Sequence, residues 1–277
     1  MTDGLEDTLQ AYSRTDLNQR KRWYSPAAAA YNEARPDYPD RLIHAVVNAA
    51  RLSSPSTLLE VGCGPGTATM PFARLGHTMH CLEPNLDFYE LAQHNCRLFQ
   101  HVHFQQTSFE EWPLERSAFD VVLAASSFHW IPSEVGYPKA AKALKQNGHL
   151  ILLWNKELQP SYEVYQYLEP VYNVYVPHLN RFETKDAQLA IINQLGQHVL
   201  RSGYFEDLAE GHVDVEVTYS ISKYLDLLST YSPYLKLEET IRDSLFRELK
   251  MILEQQCGDK VRLFGVSAFH VARKCQR

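Results

Sequence analysis

The feature that most constrains this chain is a glycine-rich turn at residues 62–66, between a strand-like run at 58–61 and a helix-like run. The turn reads Gly-Cys-Gly-Pro-Gly. Glycine has no Cβ and adopts dihedrals closed to other residues, so a ligand can approach the bare main chain here. The spacing argues against a dinucleotide ligand, because a dinucleotide-binding G-x-G-x-x-G turn needs a third glycine where this chain has Thr67.

An acidic residue follows the turn at the spacing expected of a nucleoside site. Residues 68–75 have a helical pattern that Gly76 ends, and the run 77–82 reads as a second strand with Glu83 at its tip. A carboxylate roughly 20 residues past a glycine turn can accept hydrogen bonds from both vicinal hydroxyls of a ribose. Glu83 therefore favours a nucleoside ligand over the alternative of a solvated surface acid, without distinguishing one nucleoside from another.

Three later segments continue the alternation of strands and helices, which predicts a parallel sheet covered on both faces. They are the run 102–104 with its loop 107–113, the run 118–125 followed by 126–131, and the run 144–155. With the turn and Glu83, this ordered series resembles the class I S-adenosylmethionine (SAM) dependent methyltransferases. The segments 35–39 (Arg-Pro-x-Tyr-Pro), 109–112 and 128–130 are similar to the type 11 branch around the trans-aconitate methyltransferases.

The resemblance implies an α/β fold with a Rossmann-like, doubly wound sheet of seven strands, the last of them antiparallel. Ligands would lie at the carboxyl ends of the first four strands, beside the topological switch point. We expect residues 31–277 to form the methyltransferase domain and residues 1–30 to form a mobile N-terminal segment. The pattern changes after the fifth strand, where residues 156–203 look helical and predict a cap that serves as a lid over the acceptor.

The resemblance also implies SAM as the cofactor and S-adenosylhomocysteine (SAH) as its product. The expected cofactor-binding residues are Tyr31, Arg35, Glu60, Gly62, Gly64, Gly66, Glu83, Pro84, Ser108, Phe109 and Ala125. Ser108 stands where many relatives have an aspartate that accepts from the adenine amino group, whereas Phe109 would contribute its backbone N–H. Tyr31 and Arg35 are candidates for the methionine carboxylate, although a surface ion pair is an alternative role for Arg35.

Methyl transfer from a sulfonium is an in-line displacement, which requires an aligned nucleophile and no metal. A hydroxyl acceptor needs a general base, for which His129 is the candidate, whereas a carboxylate acceptor is already ionised and needs a positive clamp. His129 could instead be structural. The expected acceptor-binding residues are Trp130, Asn155, Tyr162 and Tyr165, and most other tyrosines of 156–203 are expected to pack against the core.

Charge and cysteine usage set the remaining expectations. The formal net charge is −6, and the short run Arg20–Arg22 reads as a solvated face, so we expect no nucleic-acid partner. We expect a cytoplasmic protein, because the five cysteines form no C-x-x-C pair, no apolar run reaches membrane-spanning length and the N-terminus has no signal-like pattern. We also expect the protein to be a monomer or a homodimer.

The leading hypothesis is an enzyme that methylates an oxygen, of a carboxylate or a hydroxyl, on a small molecule. One alternative keeps SAM but transfers the methyl group to nitrogen or carbon of a larger metabolite. Another is a regulatory protein that binds SAM or SAH without turnover. A nicotinamide oxidoreductase is disfavoured by Thr67.

Overall fold

The computed structural model describes residues 14–276, in which eight strands form one sheet. The strands are β1 (Thr57–Val61), β2 (Thr78–Leu82), β3 (Val102–Gln105), β4 (Phe119–Ala125), β5 (Leu144–Asn155), β6 (Gln159–Pro160), β7 (Phe205–Ser220) and β8 (Lys260–Lys274). Their order is β3-β2-β1-β4-β5-β8, with β6 and β7 both paired to β8. Strands β1 to β5 are mutually parallel, and β8 is antiparallel to β5. The predicted Rossmann-like sheet with an antiparallel last strand is confirmed, and the two-residue β6 brings the total to eight.

Eleven α-helices lie within the same described part of the chain. They are α1 (Leu17–Arg22), α2 (Ala28–Ala34), α3 (Asp40–Ala49), α4 (Thr69–Arg74), α5 (Leu86–Asn95), α6 (Ser133–Ala143), α7 (Tyr162–Tyr175), α8 (Lys185–Arg201), α9 (Ile221–Ser229), α10 (Ser232–Leu235) and α11 (Glu239–Cys257). Short 3₁₀ turns occupy Ser25–Ala27, Phe128–Trp130 and Pro177–Leu179. None of these helices combines the length and apolarity that crossing a membrane requires.

The strand order creates the crevice in which a ligand can lie. The chain leaves β1 for β2 and β3 on one side, then returns to β4 on the other, so β1 and β4 border the switch point of the sheet. Apart from Glu60, their buried residues are apolar on both faces, as expected for parallel strands covered by helices. The loops after β1, β2, β3 and β4 therefore meet at one rim of the sheet.

Two apolar layers hold the helices against the sheet. On one face, Leu42 and Val46 of α3 pack with Phe72 of α4 in a core that includes Leu58 and Val121. On the opposite face, α6 and α8 bury a second set of side chains, among them Tyr137, Ala140, Ile192 and Val199. These layers fix the strands that carry the rim loops.

The predicted insertion 156–203 contains β6, α7, one 3₁₀ turn and α8. Helix α7 begins at the cap Ser161, and its Leu168 and Tyr172 join Leu245 and Leu249 of α11 in a third apolar cluster. Packing in this cluster accounts for two of the five tyrosines in the segment, Tyr172 and Tyr175, whereas Tyr162 and Tyr167 are about half exposed. Its role as a lid stays a prediction.

The described part of the N-terminal segment is mostly helical. Residues 1–13 of the predicted mobile segment 1–30 lie outside the described residues. The rest forms α1, the turn Ser25–Ala27 and the start of α2. Asp16 caps α1 by accepting from the backbone N–H groups of Asn18 (2.9 Å) and Gln19 (3.2 Å). This segment lies along the crevice at the rim of the sheet.

Candidate cofactor site

The glycine turn has a backbone that only glycine adopts without strain. Gly62, Gly64 and Gly66 have φ values of +65°, +57° and +91°. The backbone N–H of Gly62 donates to the carbonyl of Leu82 (2.8 Å), which holds the turn against the end of β2. A Cβ on Gly62 would lie 2.9 Å from the Cβ of Ser127, whereas a Cβ on Gly64 would meet no described atom within 4 Å. Gly64 therefore presents bare main chain to open space.

Glu83 lies beside this turn and is 5% exposed. One carboxylate oxygen accepts from the backbone N–H of Gly64 (2.8 Å) and the other from that of Asn85 (2.8 Å). A carboxylate has about four acceptor positions, so each oxygen keeps one for a ligand hydroxyl. Burial raises the pKa of Glu83 to about 7, and the two backbone N–H groups oppose that rise. The predicted pairing of turn and acid is therefore present in the structure.

A cavity opens at the rim between the turn, Glu83 and the N-terminal helices. It encloses about 1110 Å³ when its open mouth is counted. Nine predicted cofactor residues line it: Tyr31, Arg35, Gly62, Gly64, Glu83, Pro84, Ser108, Phe109 and Ala125. Two predicted acceptor residues, Trp130 and Asn155, also line it. The structure thus brings most of the expected site residues together around one cavity.

Two predicted cofactor residues, Glu60 and Gly66, do not line the cavity. Glu60 is fully buried and accepts from the hydroxyl of Thr69 (2.6 Å). Burial raises the pKa of Glu60 to about 8, although the Thr69 bond opposes this, so the side chain is largely protonated at neutral pH. A Cβ on Gly66 would lie 3.1 Å from Sγ of Cys96, so this glycine permits close packing. Glu60 thus supports the turn from beneath, whereas Gly66 lets the end of the turn pack closely against Cys96.

The free energy of unfolding of the ligand-free protein is expected to fall by about 1–2 kcal/mol between pH 6.5 and 8. Glu60 and Glu83 have pKa values raised to about 8 and about 7, so the folded protein retains protons that the unfolded chain has lost. His129 and His270, whose pKa values burial lowers to about 4, act in the opposite direction, mainly below about pH 7. Chemical denaturation at several pH values measures this slope. Glu60→Gln should flatten it, and an equal slope in that variant would contradict the assignment.

His129 lies outside the cavity lining. It sits on the 3₁₀ turn after β4 with its ring 5.8 Å from the rings of both Trp130 and Trp154. Burial lowers the pKa of His129 to about 4, so the imidazole is neutral at physiological pH and a weak base. This placement favours the structural alternative over the role of a general base.

Tyr162 and Tyr165 also lie away from the cavity. Tyr162 is 52% exposed, and Tyr165 donates to the side chain of Asn180. Tyr165 lines a separate, smaller cavity, the tyrosine cavity, whose wall includes Tyr172, Tyr224, Tyr231 and Tyr234. Their helix, α7, faces α11 and not the glycine turn. The acceptor role predicted for these two tyrosines is therefore not supported by their position.

Arg35 is held rigidly at the edge of the cavity. Its Nε donates to Oγ1 of Thr230 (2.7 Å) and its Nη2 to the carbonyl of Thr230 (2.8 Å). The guanidinium carbon lies 4.7 Å from the ring centre of Tyr31 and 4.2 Å from that of Tyr231. Among the described residues, it forms no ion pair with a carboxylate. The surface ion pair that the sequence left open for Arg35 is therefore absent among the described residues. Nη1 of Arg35 remains available to an anion.

The N-terminal helices supply a cover that sequence reasoning missed. Arg20 pairs with Glu110 (2.8 Å) and Lys21 with Glu111 (2.7 Å), both on the loop that carries Phe109. Asn85 ties the same segment down by donating from Nδ2 to the carbonyl of Lys21 (2.9 Å) and to Oγ of Ser25 (2.9 Å). Leu17, Arg20, Lys21 and Tyr24 all line the cavity. The interpretation of Arg20 and Lys21 as a solvated face is wrong, because both are paired across the crevice.

The chain is similar to methyltransferases in both sequence and fold. Residues 59–152 match the family described as a methyltransferase domain. An uncharacterized methyltransferase of Mycobacterium tuberculosis is 30% identical over 143 residues, 52% of this chain and 55% of that protein. An uncharacterized methyltransferase-like protein of Schizosaccharomyces pombe is 32% identical over 128 residues, 46% of this chain and 49% of that protein. The chain thus matches about half the length of these curated relatives.

Solved structures share the fold at lower identity. Phosphoethanolamine N-methyltransferase 2 of Haemonchus contortus, in complex with phosphomonomethylethanolamine and SAH, has a TM-score of 0.53 and 14% identity, covering 93% of this chain and 59% of that one. The [4+2]-cyclase SpnF has a TM-score of 0.55 and 17% identity, covering 92% of this chain and 94% of that one. Because one neighbour is a cyclase, the shared fold does not by itself determine the chemistry.

Proposed function

Because the chain carries a methyltransferase domain of the class I SAM-dependent family, we propose that it transfers the methyl group of SAM to a small-molecule acceptor and releases SAH. The observation that carries this proposal is the pairing of Glu83 with the backbone of Gly64 at the cavity wall. The carboxylate would receive the ribose hydroxyls, and the bare main chain would lie against the amino-acid end of the cofactor. Phe109 and Pro84 would border the adenine.

The protein's own contribution is alignment and exclusion of water. Bound SAM supplies an electrophilic methyl group on a sulfonium, so the residues need only hold the acceptor on the methyl–sulfur axis. A hydrogen-bonded wall follows β4 and β5. In it, the hydroxyl of Tyr38 lies 3.3 Å from that of Ser126, and Nδ2 of Asn155 donates to the carbonyl of Pro36 (3.0 Å). We assign this wall to the acceptor end of the cavity.

An oxygen acceptor, and a carboxylate before a hydroxyl, fits the lining best. A hydroxyl at its ordinary pKa needs a base, and no histidine of the described residues lines the cavity. A carboxylate is ionised already and needs a cation, and Arg35 is the one cation of the described lining that is not in an ion pair. Transfer to nitrogen or carbon, and binding of SAM or SAH without turnover, remain the competing functions.

The wider assignment rests on the same features. We propose that residues 31–277 are the methyltransferase domain, that 156–203 is its lid, and that the protein is cytoplasmic and monomeric or homodimeric. The net charge of −6 supports an acceptor other than nucleic acid.

Titration and labelling test the proposal in two steps. SAH and NAD are titrated separately into the full chain by calorimetry, and then methyl-labelled SAM is incubated with a metabolite panel. We expect SAH to bind and label to appear in an acceptor as a base-labile ester. Binding of NAD without SAH would overturn the proposal, whereas a base-stable labelled product would move the acceptor atom away from a carboxylate.

Loss of the N-terminal ion pairs is expected to speed SAH release. In R20Q/K21Q the pairs with Glu110 and Glu111 are absent, so the cover should open more often, and the dissociation rate should rise about 5–30-fold, equivalent to about 1–2 kcal/mol. Stopped-flow tryptophan fluorescence measures this rate. In the unaltered protein the rate should also rise with salt, because salt screens both pairs.

Arg22 provides the matched control for this prediction. It lies on the same helix, carries the same charge as Arg20 and is exposed. R22Q should therefore leave the dissociation rate and its salt dependence unchanged. Equal rates in R20Q/K21Q and R22Q would show that the cover does not limit release.

A further inference from the structure

We propose that the methyl acceptor has an aromatic or aliphatic body and carries at most one negative charge, which excludes polycarboxylates. This inference rests on the proposed methyl transfer and narrows its substrate class. It follows from three properties of the cavity: the pairing of its cations, the position of its acids and the composition of its wall.

Only one cationic side chain of the described lining is available to an anionic ligand. Three such side chains line the cavity, namely Arg20, Lys21 and Arg35. Arg20 is already paired with Glu110 (2.8 Å) and Lys21 with Glu111 (2.7 Å). Nε and Nη2 of Arg35 donate hydrogen bonds to Thr230, so Nη1 is available to a ligand. The cavity therefore has one built anion site.

Glu83 lines the cavity without an ion pair among the described residues and opposes any further negative charge, whereas Glu110 is neutralised by Arg20. Glu157 lines the separate tyrosine cavity, where one of its carboxylate oxygens lies 3.8 Å from Nη2 of Arg181. An acceptor with two or three carboxylates would place at least one of them in the cavity without a cation, which is unfavourable for binding.

The N-terminal side of the wall is aromatic and apolar. The ring of Tyr24 stacks on Phe88 at 5.8 Å and meets Trp130 edge-on at 5.9 Å, while Tyr31 contacts Phe88 at 4.9 Å. Leu17 and Ile131 extend the same surface. Aromatic faces of this kind bind flat rings or aliphatic chains through packing and dispersion. They cannot solvate additional carboxylates.

The single carboxylate bound at Arg35 can come from two sources. One is the α-carboxylate of SAM, in which case the acceptor is uncharged. The other is the acceptor itself, which would then be a monocarboxylate. R35Q separates them, because in the first case it weakens SAH binding, and in the second it weakens acceptor binding while the affinity for SAH is unchanged.

A series of probes with one ring and increasing charge tests the inference. Benzyl alcohol, benzoate, phthalate and benzene-1,3,5-tricarboxylate share a ring and carry zero, one, two and three carboxylates. Their affinities for the SAH complex are measured by ligand-observed NMR at constant ionic strength. We expect benzyl alcohol or benzoate to bind best, and the tricarboxylate to bind at least tenfold more weakly, with W130A weakening the best probe.

The outcomes separate this inference from the proposed function. An affinity that rises with the number of carboxylates would overturn the inference, as would binding of none of the probes to a protein that binds SAH. Failure to bind SAH would instead overturn the proposed function. R22Q removes an exposed charge outside the cavity lining. It should bind the four probes with the same affinities as the unaltered protein, which would exclude a general effect of net charge.

Discussion

Gly64→Ala is expected to remove SAH binding almost entirely, with an affinity loss of about 100-fold or more, while the protein still folds. A Cβ at this position meets no described atom within 4 Å, so it projects into the cavity and occupies the space through which a ligand reaches the main chain. The φ of +57° adds a backbone penalty of about 1–2 kcal/mol. Calorimetric titration of SAH, together with thermal unfolding of the free variant, measures both effects.

Gly258 separates the backbone penalty from the steric effect on the ligand. It ends α11 with a φ of +73°, and a Cβ there also meets no described atom within 4 Å, but it does not line the cavity. With a ψ of −129°, Gly258→Ala should lower the free energy of unfolding by at least as much as Gly64→Ala and leave the affinity for SAH unchanged. If Gly64→Ala binds SAH as tightly as Gly258→Ala does, the turn is not the cofactor contact.

The parts of the site that the sequence predicts well are local. The glycine turn and Glu83 lie at the ends of adjacent parallel strands, where Val61 pairs in register with Leu82. A motif of this kind needs only two short strands and a helix to define its geometry. For this reason the positions of Gly62, Gly64 and Glu83 follow from spacing alone.

The parts that the sequence could not predict depend on distant contacts. Arg20 and Glu110 lie far apart in the chain, and a short basic run contains no signal that identifies its partner. His129 follows β4 as expected, but whether its ring turns toward the cavity or toward Trp154 depends on packing against β5 and β8. Tyr165 likewise belongs to a helical stripe whose orientation is fixed by α11. Periodicity identifies such faces without specifying what they contact.

Strand β7 illustrates the same limit at the level of secondary structure. The alternation of Val213, Val215 and Val217 predicts a strand over 212–219, whereas the strand spans Phe205–Ser220. Its first part contains Asp207 at a φ of +54° and a shift in register against β8. Pairing with the long β8 stabilises this irregular part, which has no alternating pattern of its own.

Glu83→Ala is expected to weaken SAH binding by about 1.5–3 kcal/mol, the scale of losing hydrogen bonds to a charged group. Affinity in the unaltered protein should also rise with pH through about 7, because burial raises the pKa of Glu83 to that value and only the ionised form accepts from both ribose hydroxyls. Glu83→Gln tests this second point with nearly the same shape. It should bind weakly at every pH between 6 and 8.5.

Asp87 is the matched control, since it is an exposed carboxylate only four residues further along the chain. Asp87→Asn should preserve both the affinity for SAH and its rise with pH. The measurement is calorimetric titration of SAH at pH 6, 7 and 8.5 for all four proteins. A pH-dependent affinity that survives in Glu83→Gln would assign the titration to another group, and unchanged affinity in Glu83→Ala would remove Glu83 from the ribose site. Because Glu83 also accepts from Gly64 and Asn85, the unfolding free energy of each variant is measured alongside, so that a distorted turn is distinguished from a lost ligand contact.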